Sequence, residues 1–164
     1  MNIKINPFDE SSIDEAIERL EQYAKGLDAK SKQLAEKLAF HAQMLAEYAY
    51  EGTQNDGPKD VHVTSEPTEK GYRITASGDT VLFMEFGAGI TYGGGHPEAG
   101  TFGMGPGTYP NGKGNWNKPN GWYIPKEKGG GHTFGNVPSM AMYNAEQETR
   151  RQIETFAKEI FSHD

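Results

Sequence analysis

Fifteen of the chain's 21 glycines fall between Gly89 and Gly135. Glycine loses more backbone freedom on ordering than any other residue and brings no side chain to a core. This stretch is therefore expected to be mostly loop, and the apolar core has to come from the segments on either side. The whole chain has 164 residues, the size of a single domain.

Composition narrows the function classes. Sixteen basic residues stand against 23 acidic ones, a net charge of −7. That balance disfavours a general nucleic-acid binder or a protein that sits on anionic membranes. Cysteine is absent, which removes disulfides, thiolate metal sites and a cysteine nucleophile. The opening residues MNIKINPFDESS lack the apolar run of a signal peptide, and no window approaches the ~20 apolar residues of a membrane span. A soluble protein of the cytosol is expected.

Five segments follow along the chain. Residues 12–51 read as helix, because Ile13, Ala16, Ile17, Leu20, Tyr23, Ala24 and Leu27 recur every three or four positions. The same spacing resumes from Leu34 to Ala49. Ser12 and Glu15 form the pattern of a capping box, and Gly26 predicts a break or bend. Residues 60–87 read as a β meander. Val61, Val63 and Ser65 alternate with polar neighbours, Tyr72, Ile74 and Ala76 do so again, and Val81–Phe86 is expected to be the central strand. Residues 88–121 are the glycine-rich arm, 122–135 a β hairpin, and 139–162 a second helix capped by Ser139. The fold class is α+β: a long N-terminal helix, a small antiparallel sheet of three to five strands, and a C-terminal helix.

The arm carries Tyr92, Phe102, Met104, Tyr109 and Trp116, with Trp122 at its end. Aromatic side chains in a glycine-rich loop suit docking onto a partner. They equally suit packing back over their own sheet. If a partner is their target, the arm orders only on assembly.

Several patterns tempt towards chemistry. Gly107–Gly114 approaches a phosphate-binding loop, but Gly114 stands where the magnesium-binding hydroxyl belongs, and no strand or helix flanks it. His96, Glu98 and His132 are the best zinc candidates, with one close pair among them. Lys113, Lys118, Lys126 and Lys128 with Trp116 and Trp122 offer a single-stranded nucleic-acid surface by stacking and phosphate contact. The segment 88–138 is only +2 and has no arginine, so an acidic protein partner satisfies the same pattern. Glu85 lies in an apolar run. A carboxylate beside a core can work as a general acid or base, yet no partner nucleophile is evident. Accepting hydrogen bonds from the glycine-turn amides, or pairing with a basic group, is the favoured use. In that case Glu85→Gln should leave the fold nearly intact. No catalytic set, metal site or cofactor motif emerges.

Two motifs carry a resemblance. Phe83-Met84-Glu85-Phe86-Gly87-Ala88-Gly89 matches an aromatic-x-Glu-Phe-Gly-Thr-Gly element that follows a strand, with Ala88 in the threonine position. Pro138, Met140, Met142 and Ala145 match a proline and apolar anchor before a last helix. Together they resemble the head-tail joining (neck, or tail-completion) proteins of tailed bacteriophages and prophages. The stretches Trp122-Tyr123 and Gly131–Asn136 look like the branch found in Gram-positive hosts. The resemblance spans roughly residues 12–160, and the insert between Gly89 and Trp122 departs from smaller members. It implies a structural virion protein and no enzyme, assembled in the host cytoplasm. Such a protein forms a homo-oligomeric ring between head connector (portal side) and tail terminator or tail tube, and DNA passes through without specific binding. Glu85, Phe86, Gly87, Gly89, Pro138 and Met142 are then structural motif residues. Tyr92, Phe102, Tyr109, Trp116 and Trp122 are the candidate interface.

Overall fold

A computed structural model of the chain describes residues 5–53, 60–89, 95–103 and 119–162. The fold is α+β, with a long N-terminal helix, two separate two-stranded antiparallel sheets and a C-terminal helix.

Helix α1 spans Glu10–Gly52 without interruption, about 65 Å at 1.5 Å per residue. Its cap lies upstream of the expected box: Asp9 accepts the Ser11 amide at 3.1 Å, while the Ser12 hydroxyl accepts from the Asn6 amide at 2.9 Å. Gly26 does not break the element in two. A Cβ there would meet open space, so the glycine costs propensity alone, about 1 kcal/mol.

Strands β1 (His62–Thr68) and β2 (Gly71–Ser77) form a hairpin, paired from His62↔Ser77 to Thr68↔Gly71. The turn between them is Glu69-Lys70. The third strand of the meander is absent. Val81–Phe86 instead forms a short helix, α2. The decisive group is Asp60, whose carboxylate accepts the amides of Asp79 (2.7 Å) and Thr80 (3.1 Å) and the Thr80 hydroxyl. This turns the chain just where the strand would begin, and the Thr80 carbonyl then accepts the Met84 amide at 2.9 Å. Burial acts to raise the Asp60 pKa, but the hydrogen bonds from Thr80 and Asp79 outweigh it and hold it below the usual carboxylate value.

Strands β3 (Trp122–Tyr123) and β4 (His132–Thr133) pair antiparallel across a single 3-10 turn at Lys126–Lys128, as expected for 122–135. An isolated bridge then joins Ala88 to Asn136. Helix α3 spans Ala141–Phe161 and runs antiparallel to α1. Near its start Glu85 links it to Tyr50. Near its end Lys37 pairs with Glu159 at 2.5 Å, and Lys30 lies over the Phe161 ring. The buried core is small: Ala46, Tyr50, Val63, Met84, Ala141 and Ala145, with Leu45, Ile74 and Met142 packed on it. It lies where α1, the hairpin, α2 and α3 meet.

The apolar spacing of α1 is therefore used only in part. Beyond Lys30 the helix extends past the end of α3, and Ile13, Ile17, Leu20, Tyr23 and Leu27 are 38–52% exposed.

Candidate functional site

The residues of greatest chemical interest converge on Glu85. Its side chain is 8% exposed, in the last turns of α2. Oε2 accepts the Tyr50 hydroxyl at 2.8 Å and the Met142 amide at 3.0 Å. Oε1 accepts the Tyr143 amide at 3.1 Å and faces His96 Nε2 at 3.2 Å. The other ring nitrogen settles the tautomer of His96, because Nδ1 accepts the Glu98 amide at 3.1 Å. A nitrogen that accepts carries no proton, so Nε2 holds it and donates to Glu85. Four donors thus point into one carboxylate, the pattern of an ionised group.

Two of these donors explain the motif. Helix α3 starts after Met140, which sits in the left-handed region (φ 51°) and contributes no side-chain cap. The first amides of a helix lack internal partners and attract negative charge. Met142 and Tyr143 supply two of those amides, and Glu85 caps them from 57 and 58 residues away. The backbone completes the junction: the Ser139 amide reaches the Met84 carbonyl at 2.7 Å, and the Met140 amide reaches that of Glu85 at 3.2 Å. Ser139, expected as the cap, has instead a buried hydroxyl with no partner among the described residues.

The partners of Glu85 match the sequence expectation in part. They are two helix amides, a phenol and the imidazole of His96; the glycine-turn amides are not among them, and the expected basic group is a histidine. Tyr50 and His96 were not legible as its partners. The only trace is that Tyr50 lies four residues after Ala46, on the same helix face, just past the series that ends at Ala49. The strand that was to carry the motif out of a sheet is a helix, and Gly87 (φ 77°) is its C-cap. Phe86 is 7% exposed and packs on His96 at 4.5 Å between ring centroids. Ala88 and Asn136 exchange two backbone hydrogen bonds, at 2.9 and 3.1 Å. The Asn136 side chain adds one to the Phe83 carbonyl at 2.8 Å.

The Tyr50 phenol is pushed far above its ordinary value, by burial first and then by the Glu85 charge and hydrogen bond. The folded state therefore holds a proton that the unfolded chain releases near pH 10. Stability from this group is complete below that pH and declines as pH rises beyond it. In alkaline denaturation Tyr50→Phe is expected to flatten the fall in stability above about pH 10. At neutral pH it is expected to cost about 2 kcal/mol, the worth of a hydrogen bond to a charged group. An unchanged alkaline slope would remove Tyr50 from the account.

The remaining candidates are dispersed. Phe102 stacks on Phe86 at 5.9 Å yet is 59% exposed, so it rests on its own chain with one face open. Trp122 is half-buried in β3. Tyr92, Tyr109 and Trp116 lie outside the described residues, as do Lys113 and Lys118. Lys128 pairs with Asp79 at 2.6 Å. His132 lies edge-on to Tyr123 and Phe134, and both ring nitrogens of His96 are engaged elsewhere. Among the described residues no three metal-ligating groups come together. None of their helices is long and apolar enough to cross a membrane.

The Glu85 cluster borders an apolar groove of about 790 Å³ between α1, α3 and β2. Chemically, the cluster is a fastener: it ties α2, the loop at His96 and the start of α3 to the end of α1. Comparison with protein families, with curated proteins and with solved structures finds no match for this chain.

Proposed function

We propose that this chain is a structural subunit of the neck of a tailed bacteriophage or prophage. It acts as one copy in a ring that joins the head connector to the tail around the DNA channel. The supporting observation is that the two sequence motifs behind the resemblance meet in space. Glu85–Gly89 and Pro138–Met142 are half a hundred residues apart in sequence, yet Glu85 caps α3 at Met142 and Tyr143. Residues 83–88 meet 136–140 through further backbone and side-chain bonds. A motif used to hold a helix in place accounts for a glutamate in an apolar run without invoking turnover. The surface of a negative chain also repels a passing polyanion. In this reading the protein is not an enzyme and takes no cofactor. Its partners are connector and tail proteins, and it resides in the virion after assembly in the bacterial cytoplasm.

Electron microscopy of the purified chain, alone and mixed with the connector and tail proteins encoded beside it, tests this. Closed rings, or addition of a ring to the connector, are expected. A chain that stays monomeric in every mixture and binds single-stranded oligonucleotides with a steep salt dependence would sink the proposal in favour of nucleic-acid binding.

A further inference from the structure

Among the described residues two apolar surfaces have no occupant, and helix α1 contributes to both. The first is the stripe Ile13, Ile17, Leu20, Tyr23 and Leu27 on the part of α1 that extends beyond α3. The second is the groove of about 790 Å³, whose apolar lining includes Leu38, Ala42, Ile74, Ala76, Leu82 and Ile153. We propose that the first fits the second in another copy of the same chain: residues 13–27 of one subunit lie in the groove of the next. The contact rests on the ring reading above and names the surfaces that would make the ring.

Shape supports a helix as the occupant. The α1 wall of the groove, Ala35 to Ala42, covers two helical turns, and the α3 wall, Met142 to Ile153, covers three. Residues 13–27 make about four turns, so a groove two to three turns long takes the middle of that segment, around Leu20. Alanines on the α1 wall let a second helix approach closely.

The occupant cannot be the same molecule's own helix. Leu20 and Ala42 lie on one uninterrupted helix, about 33 Å apart along its axis. Charge argues against the other simple arrangement, two projecting segments paired side by side. Residues 9–28 hold seven acidic and two basic residues, net −5, so like would face like. The groove lining carries Glu98 and Glu146 as well as Arg73 and Arg150, and the group open to an acidic helix is Arg73. Arg73 on β2 is exposed and makes no ion pair among the described residues. Arg150 lies on α3, bonded to Glu146 at 2.6 Å. On the projecting segment Asp14, Glu15, Glu18 and Glu21 likewise make no ion pair among the described residues. Because the two surfaces differ, the contact is head-to-tail, the type that propagates into a ring when its rotation closes.

The chain has no cysteine, so the test is direct. Two full-length variants, Leu20→Cys and Ala42→Cys, are checked for native circular dichroism, mixed and oxidised. The expected result is a disulfide-linked product containing one of each, in several-fold excess over either homodimer. Adding Arg73→Glu to the groove variant should lower its yield several-fold. If Ala42→Cys does not fold, Ile153→Cys, half exposed in the same groove, replaces it. A dominant Leu20→Cys homodimer, or no mixed product, overturns the proposal. Its failure and that of the ring reading are separable. Closed rings without the mixed disulfide reject this contact and keep the ring. The mixed disulfide in an assembly that never closes keeps the contact and rejects the ring.

Discussion

Glu85→Gln is expected to destabilise the fold by about 3 kcal/mol, read by denaturant unfolding of the two chains under identical conditions. The substitution preserves size and removes one acceptor atom, which is why the sequence alone suggests it should be mild. The geometry says otherwise. At Oε1 both neighbours donate: the Tyr143 amide is fixed by the helix, and His96 is held as the Nε2–H tautomer by the Glu98 amide at its other nitrogen. The amide oxygen of glutamine must therefore take that side. Its NH₂ then faces the Tyr50 hydroxyl, which can rotate to accept, and the Met142 amide, which cannot. One buried backbone donor is orphaned, and the surviving bonds lose their charge assistance. A loss below about 1 kcal/mol would show that Glu85 is not the cap of α3.

Gly135→Ala is expected to cost a comparable amount, about 3 kcal/mol, from two sources. The residue lies at φ 107°, which any side chain resists, and a Cβ there would run into the Ala88 carbonyl. The obstacle is backbone, and it cannot rotate away. Gly89 stands opposite with the same problem: φ 88° and a Cβ directed at the Phe134 carbonyl. The two glycines let the segments on either side of the Ala88–Asn136 bridge approach to hydrogen-bonding distance. The first effect of Gly135→Ala should be faster hydrogen exchange at the Ala88 and Asn136 amides, ahead of global unfolding. By contrast Gly129→Ala, also at positive φ but with no atom within 4 Å of a Cβ, should show only the conformational cost, about 1 kcal/mol. Equal effects at the two sites would mean that the close approach is not what Gly135 provides.

Local pattern determined much of this protein. The three-and-four spacing of apolar residues specifies α1, because a helix repeats its face every 3.6 residues and a long series leaves little else to satisfy it. Alternation across Val61–Ala76, with Glu69-Lys70 between, specifies the first hairpin in the same way. The pairing of Trp122-Tyr123 with His132-Thr133 was legible from the turn formers between them.

What the tertiary structure alone decided lies where no period exists to be read. Val81–Phe86 is a six-residue apolar run, too short to separate strand from helix. A carboxylate 20 residues upstream of Thr80 decides it, through hydrogen bonds formed only once the hairpin is closed. Gly26 likewise looked like a break, but no competing element forms there, and the helix continues past it. Glu85 shows the same division. Its presence in an apolar run marked it as unusual, but its role depends on four donors from three further parts of the chain. Periodicity is a property of neighbours in sequence. The convergence of Tyr50, His96 and the first turn of α3 on one buried charge exists only after those elements have packed, because only then is water gone and each donor in need of an acceptor.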